Sequence, residues 1–227
     1  DAALSKELTK SLKKQGMKFY TSHKVQSVER TGDAVTVKAE NAKGEIIDPI
    51  NPETGKSWGW SDVADLNYDN QGLRAAMTAD MLHWIKNENI DGFRCDVAGN
   101  VPLDYWQQAI PQLRKEKNIF MLAEAWEPEL LKEGLFDMAY GWEAHHTMNR
   151  IAQGKNTVKD WDKFMSENDI KYSSDDILMN FVDNHDENSW NGTIRGRLGK
   201  GEEAMTALSY VMPGMPLIYS GNEYGLN

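Results

Sequence analysis

The sequence predicts an α/β fold in which helices alternate with parallel strands, because two kinds of apolar pattern follow one another along most of the chain. One kind is a stripe at four-residue spacing, which is typical of a helix packed on one face. The other is a short apolar run, which is typical of a buried strand. The first stripe consists of Leu73, Met77, Met81 and Ile85.

The order of the elements can be followed from Asn70 onward. Asn70 is of the residue type that caps helices, so the first helix should begin just after it and lead into a strand that ends at Asp96. A second helix, with a kink at Pro111, precedes a strand that ends at Glu124. The remaining strands are predicted at residues 136–140, 177–182 and 217–219, and the remaining helices at 146–152, 158–165 and 202–211. Five parallel strands are too few to close a barrel.

Three carboxylates stand at the ends of apolar runs, in the segments Gly92-Phe93-Arg94-Cys95-Asp96, Leu122-Ala123-Glu124-Ala125-Trp126 and Phe181-Val182-Asp183-Asn184-His185-Asp186. Side chains alternate along a strand, so Arg94 and Asp96 should share one face. A retaining glycosidase needs one carboxylate that attacks the anomeric carbon and a protonated one about 5–5.5 Å away. Asp96 and Glu124 suit these roles. For any single carboxylate, a solvated loop residue or a helix cap is the alternative.

Neighbouring residues would support this pair. Arg94 would keep Asp96 ionised and aimed, whereas Glu124 requires a pKa raised by partial burial against groups such as Trp126. Asp186 can hydrogen-bond sugar hydroxyls and favour an oxocarbenium-like transition state. His185 is open to two interpretations, a substrate contact or a hydrogen-bonded structural histidine.

These segments resemble the ordered motifs of the alpha-amylase family of glycoside hydrolases, which are (β/α)8 TIM barrels acting on α-glucans with retention of configuration. The resemblance implies that Asp96 is the nucleophile, Glu124 the general acid/base and Asp186 the transition-state stabiliser, with Arg94 and His185 in the active site. It runs from about residue 46 to residue 227 and includes the segments Ala64-Asp65-Leu66-Asn67 and Pro216-Leu217-Ile218-Tyr219-Ser220-Gly221-Asn222-Glu223. The expected fold is a partial TIM barrel with strands four to eight.

The resemblance lacks the first family motif and the first strands, and the 227 residues are fewer than the ~250 typical of a complete barrel. Two functions therefore remain open. One is retaining hydrolysis of starch-like glucans. The other is a non-catalytic glucan-binding remnant, in which aromatic rings stack on the sugar. The candidate rings are Trp126, Trp190, Trp142 and Tyr68.

The first 45 residues differ from the rest. They carry nine Lys/Arg against six Asp/Glu, whereas residues 46–227 carry sixteen against twenty-nine and hold all eight tryptophans. A helix with Leu4, Leu8 and Leu12, followed by strands at 17–28 and 34–39, resembles part of the nicotinamide-binding region of dihydrolipoyl dehydrogenase. The G-x-G-x-x-G turn is absent, so no dinucleotide binding is expected. We predict a chimera of two segments, 1–45 and 46–227, with an oxidoreductase as a third functional class.

Composition sets the remaining expectations. An acidic, tryptophan-rich chain disfavours nucleic acid and suits a neutral polysaccharide. No apolar stretch reaches the ~18–20 residues of a membrane span, and no signal peptide opens the sequence, which leaves localisation unknown, with an extracellular or periplasmic parent amylase an option. No cofactor is required by the chemistry. Calcium could bind through oxygen ligands, for which Asp62, Asp65 and Asp69 are the local donors.

Overall fold

The computed structural model describes residues 54–56 and 66–225 in full and the backbone of two strands at 23–31 and 34–41. The chain divides into two compact units, Asp1–Asp65 and Leu66–Asn227. None of the helices formed by the described residues combines the length and the apolarity that a bilayer crossing requires.

The first unit contains an antiparallel pair of strands. β1 (His23–Thr31) pairs with β2 (Ala34–Asn41), with His23 opposite Asn41 at one end and Thr31 opposite Ala34 at the other. The ladder is irregular between Val25 and Ser27. The structure has strands at 23–31 and 34–41, where the sequence predicted strands at 17–28 and 34–39. Residues 17–22 and the predicted helix with Leu4, Leu8 and Leu12 lie outside the described residues.

The second unit contains a five-stranded parallel sheet. Its strands are β3 (Gly92–Cys95), β4 (Phe120–Ala123), β5 (Met138–Tyr140), β6 (Leu178–Asn180) and β7 (Met215–Pro216). They are ordered in the sheet as in the chain, so that each strand pairs with the next one. This order is that of consecutive barrel strands, and it confirms the predicted partial barrel of the α/β class.

Helices connect these strands. They are α1 (Gln71–Glu88), α2 (Leu103–Glu116), α3 (Trp142–Ala152), α4 (Val158–Lys171), α5 (His185–Trp190), α6 (Ile194–Leu198) and α7 (Glu202–Val211). α7 has the predicted bounds, and α2 runs on through Pro111. The sequence did not predict α5 and α6, since these single turns are too short to show an apolar stripe.

The last strand was placed too late in the sequence. β7 is Met215–Pro216, not residues 217–219. Leu217 N–H still donates to the Asn180 carbonyl oxygen at 2.7 Å. Beyond it the chain turns, because Tyr219 N–H donates to Asn222 Oδ1 at 2.9 Å and Asn222 N–H donates to the Tyr219 carbonyl at 3.0 Å.

The core of this unit lies where α1 and α2 cover the sheet. Its fully buried members include Tyr105, Ile110, Leu113, Met121 and Ala139. β3 and β4 approach so closely that a Cβ at position 92 would lie 2.0 Å from the Phe120 carbonyl oxygen, which explains the glycine there. Because the five strands are parallel, their carboxyl ends lie at a common edge of the sheet.

The N-terminus of α1 offers a direct test of the predicted cap. Asn70 Oδ1 accepts hydrogen bonds from Gly72 N–H at 2.9 Å and Leu73 N–H at 3.3 Å. Asn70→Ala leaves these donors without that acceptor, and we expect a loss of about 0.5–2 kcal/mol in the free energy of unfolding, measured by urea denaturation. Asn70→Ser retains an acceptor and should keep most of the stability. Equal losses in both variants would contradict the capping role.

Candidate active site

Arg94 organises the carboxyl end of β3. Its Nη1 forms an ion pair with Asp96 Oδ1, so the two side chains share a face as their two-residue spacing predicts. Its Nε donates to the Tyr140 hydroxyl at 3.1 Å, and the guanidinium lies over the Tyr140 ring. The Asp96 side chain is 75% exposed, which leaves it accessible to a ligand.

Glu124 follows β4 and lies beside this pair. Its side chain is 14% exposed, and Oε2 lies 3.0 Å from Arg94 Nη2 in an ion pair. Oε2 also accepts a hydrogen bond from Val97 N–H at 2.8 Å. One guanidinium therefore contacts both Asp96 and Glu124, the two carboxylates predicted to act as a pair.

Burial distinguishes Glu124, whose side chain is 14% exposed, from Asp96, whose side chain is 75% exposed. Burial raises the pKa of Glu124 above its ordinary value, and the charges of Asp96 and Asp186 add to this effect, while the Val97 N–H and Arg94 oppose it. Although burial of the guanidinium acts against its charge, the Tyr140 hydrogen bond and the charge of Glu124 raise the pKa of Arg94. A carboxyl group that stays protonated more readily, next to an exposed carboxylate, is the combination that acid-assisted substitution requires.

Tyr140 is a site residue that sequence reasoning missed. It ends β5, is buried, and touches Arg94. Burial raises its pKa, and the charges of Glu124 and Asp186 raise it further. Its signal in the sequence was the same as that of the carboxylates, a polar group at the end of an apolar run. Tyr140 was nevertheless interpreted only as the last residue of the predicted strand at 136–140.

Asp186 and His185 lie in the first turn of α5, not at the end of a strand, since β6 ends at Asn180. Asn184 caps this helix, with its Oδ1 accepting from Asp186 N–H at 3.0 Å and Glu187 N–H at 2.8 Å. His185 Nε2 lies 3.3 Å from Asp186 Oδ2. The charge of Asp186 contributes to the raised pKa values of Glu124 and Tyr140, so the third predicted carboxylate lies within electrostatic range of both groups.

Buried ions support the segment that carries Asp186. The Asp183 carboxylate, 0% exposed, accepts from Arg197 Nη2 at 2.6 Å and from Asn222 Nδ2 at 3.0 Å. Arg197 also donates to the Val182 carbonyl at 3.0 Å and lies 3.5 Å from Glu187. Arg197 therefore holds both sides of the segment in which His185 and Asp186 lie.

The predicted stacking aromatics differ in accessibility. Trp126 is exposed two residues beyond Glu124, and its carbonyl accepts a hydrogen bond from the Tyr172 hydroxyl at 2.6 Å. Trp190 ends α5 and is 78% exposed, whereas Trp142 packs against Phe181. Tyr68 is 8% exposed and packs on Tyr105 in the core. A stacking platform needs an open ring face, so the burial of Tyr68 argues against the substrate contact predicted for it.

The calcium prediction can be examined only in part. Asp62 and Asp65 lie outside the described residues, and Asp69 lies beside the capping residue of α1. Within the described part of the chain, no group of three or more His, Cys, Asp or Glu side chains is arranged to hold a metal ion.

The raised pKa of Glu124 predicts a pH-dependent difference in stability. The native state holds the Glu124 proton more tightly than the unfolded chain, so its contribution to stability falls as the pH rises from the ordinary value of 4.5 through the raised value. As the pH rises through this range, we expect the free energy of unfolding of Glu124→Gln to increase relative to that of the parent. Below this range we expect no such increase. Urea denaturation at a series of pH values measures the difference. A difference that does not change with pH would contradict the burial argument.

A parallel sheet with clustered carboxylates at its carboxyl edge is the arrangement of a glycoside hydrolase built on an α/β barrel. Residues 57–227 match the family described as "Alpha amylase, catalytic domain". The chain belongs to the alpha-amylase family. Residues 1–44 match a different family, "Pyridine nucleotide-disulphide oxidoreductase". The chain thus joins sequence related to two families, as the change in composition predicts.

Solved structures and curated relatives agree with this assignment. The maltogenic alpha-amylase AmyB from Thermotoga neapolitana is 31% identical, with a TM-score of 0.65 over 78% of this chain and 41% of that one. An alpha-amylase from Lactobacillus plantarum is 29% identical, with a TM-score of 0.64 over 77% and 45%. Alpha-amylase MalA from Haloarcula japonica is 26% identical over 73% of this chain and 25% of its own length. The chain thus spans less than half of each of these relatives.

Proposed function

We propose that this chain hydrolyses α-glucosidic bonds in starch-like glucans with retention of configuration, through a covalent glycosyl ester on Asp96. The observation that carries the proposal is the Arg94 guanidinium, which contacts both Asp96 and Glu124. A retaining mechanism needs two carboxyl groups about 5–5.5 Å apart, which is short enough for one guanidinium to contact both. The exposed Asp96 is then the nucleophile and the largely buried Glu124 the acid.

The first step forms the glycosyl ester. An Asp96 carboxylate oxygen attacks C1 of the glucosyl unit, the bond from C1 to the glycosidic oxygen breaks, and Glu124 gives its proton to that oxygen. Arg94 orients Asp96 through the ion pair. The charge of Asp186 favours the positive charge that develops at C1, and His185 and Asp186 bind hydroxyl groups.

The second step releases the sugar. Glu124, now a carboxylate, takes a proton from a water molecule whose oxygen attacks C1, and the bond between C1 and Asp96 breaks. Two inversions at C1 give overall retention. If a second sugar replaces water, the same step transfers the glucosyl unit, and the 4-alpha-glucanotransferase of Thermotoga maritima is among the relatives of this chain. The exposed rings of Trp126 and Trp190 would stack on the glucan.

We assign different roles to the two segments of the chain, in agreement with the two family matches. Residues 46–227 form the catalytic segment, and residues 1–45 form a separate segment derived from an oxidoreductase. Calcium, if bound, would use oxygen ligands such as those of Asp62, Asp65 or Asp69, which belong to the catalytic segment. In the proposed reaction, the groups that make and break bonds all come from residues 46–227.

The test is the stereochemistry of the product. The purified chain is incubated with maltopentaose, and proton NMR follows the anomeric signals of the newly formed reducing ends. The proposal predicts that the α-anomer appears first and then mutarotates. First appearance of the β-anomer would overturn the retaining mechanism, and the absence of any product would overturn the hydrolase.

One observation favours a second candidate, a glucan-binding protein without turnover. The described residues form five parallel strands, fewer than the eight of a closed barrel, and β3 and β7 each pair with a described strand on one side only. Titration calorimetry with maltopentaose separates the two functions, because a binding protein gives heat of binding and no product. A third candidate, an oxidoreductase, has only the match of residues 1–44 in its favour, and bound nicotinamide or flavin in the purified chain would support it.

A further inference from the structure

We propose that Val97 is a positioning residue for Glu124: its left-handed backbone turns its N–H onto Glu124 Oε2 and thereby leaves Oε1 as the oxygen that carries the proton. The inference rests on the proposed role of Glu124 as the acid. It concerns a main-chain group, which sequence motifs do not reveal.

The backbone of Val97 has an unusual conformation. Its φ of 45° and ψ of 42° lie in the left-handed region, which a β-branched residue rarely adopts. Two other described residues that are not glycine have a positive φ, Asn89 and Glu133. Asn89 is the C-cap of α1, a common place for this conformation. Val97 is the β-branched member of this set, and it directly follows Asp96.

Contacts with residue 124 compensate for this strain. The N–H groups of two successive residues point to it, Val97 N–H to Oε2 at 2.8 Å and Ala98 N–H to the main-chain oxygen at 3.1 Å. Glu124 N–H returns a hydrogen bond to the Cys95 carbonyl at 3.0 Å. The two N–H groups therefore donate to two different oxygen atoms of the same residue, one in the side chain and one in the main chain of Glu124.

The loop has little freedom to relax. Trp106 Nε1 donates to the Ala98 carbonyl at 3.1 Å, which ties the loop to α2. On its other side, a Cβ at Gly99 would lie 2.6 Å from Glu127 Oε2, so the backbone passes directly against that side chain. The Val97 N–H is therefore held at a fixed point by the structure on both sides, and strain persists where its surroundings over-determine it.

This arrangement makes the two oxygens of Glu124 different. Oε2 accepts the Val97 N–H and faces Arg94 Nη2 at 3.0 Å, so a proton on Oε2 would be directed toward two donors. The proton therefore lies on Oε1, from which it would pass to the leaving group in the proposed first step. The same N–H stabilises the carboxylate form, which limits the rise in the pKa of Glu124 that burial causes.

The test follows both partners by NMR and needs no turnover. In the unmodified chain with 15N-labelled valine and 13C-labelled glutamate, we expect the Val97 amide signal to titrate with the same midpoint as the Glu124 carboxyl carbon. The Val101 amide is the control, because its N–H donates to the Ala98 carbonyl at 3.3 Å. A Val97 amide that does not follow Glu124 would overturn the proposal.

A second measurement removes the N–H itself. Incorporation of α-hydroxyisovaleric acid at position 97 replaces the N–H with an ester oxygen and keeps the side chain, and the same replacement at position 101 is the matched control. We expect the pKa of Glu124 to rise with the ester at 97 and to stay in place with the ester at 101. Equal titrations in the two proteins would overturn the proposal. Failure of the proposed function would be a separate result. A chain that hydrolyses no glucan would disprove that function, and the two titrations could still be measured.

Discussion

Replacement of Glu124 with glutamine is expected to lower the rate of glucan hydrolysis by about 10²–10⁴-fold. Glutamine keeps the size of the side chain and can still accept the Val97 N–H, but it cannot give a proton to the leaving oxygen or take one from water. The rate is measured with maltopentaose by release of reducing ends, and the affinity by titration calorimetry. Because binding does not require the proton, the dissociation constant should change much less than the rate.

Two controls show whether the loss belongs to acid catalysis. Glu129→Gln removes an exposed carboxylate five residues further along the chain and should leave the rate unchanged. With α-glucosyl fluoride, whose leaving group needs no proton, Glu124→Gln should still form the glycosyl ester. A variant that hydrolyses maltopentaose at the parent rate would show that Glu124 is not the acid.

Replacement of Arg197 with alanine is expected to lower the free energy of unfolding by about 3–5 kcal/mol. The Arg197 side chain is 8% exposed and pairs with Asp183, which is 0% exposed. Removal of the guanidinium leaves the Asp183 charge buried without its ion-pair partner, and it also removes hydrogen bonds to the Val182 carbonyl and to Asn149. Urea denaturation measures the change.

Arg195→Ala provides the matched control on the same short helix. Arg195 is exposed, so its removal should change stability by less than about 0.5 kcal/mol. The segment between Asp183 and Glu187 should also loosen in Arg197→Ala, which hydrogen exchange at the amide of Asp186 would report. Equal stability of the two arginine variants would contradict the anchoring role of Arg197.

The site residues were predicted more accurately from the sequence where the chain forms a regular strand. Strand alternation placed Arg94 and Asp96 on one face, and the ion pair between them agrees with it. Alternation could not place Asp186, because that residue lies in the first turn of α5, where the Asn184 cap sets its position. Caps and single turns depend on a few hydrogen bonds, and these leave no periodic pattern in the sequence.

Tyr68 and Tyr140 show why the aromatic residues were harder to assign. Either ring could have packed in the core or faced a ligand, and composition alone does not separate these cases. In the structure Tyr68 packs on Tyr105, whereas Tyr140 is buried with its hydroxyl on Arg94. Whether a tyrosine ring packs in the core or contributes to the site depends on neighbours that are distant in the sequence.

Sequence patterns could not predict the role of main-chain groups. The Val97 N–H that contacts Glu124 belongs to a residue type with no polar side chain, and its direction follows from a positive φ that valine rarely adopts. The end of β7 was placed too late for a related reason, since Asn222 closes a turn back to Tyr219 in a run that otherwise looks like a strand.

The central claim is that Asp96 and Glu124 act on the same sugar, and trapping the glycosyl ester tests it most directly. Glu124→Gln is incubated with α-glucosyl fluoride, from which fluoride leaves as the bond between C1 and Asp96 forms, and the protein is analysed by intact and peptide mass spectrometry. The account predicts one added glucosyl unit, located on Asp96, which accumulates because no base activates water. An unmodified protein, or a glucosyl unit on another residue, would contradict it.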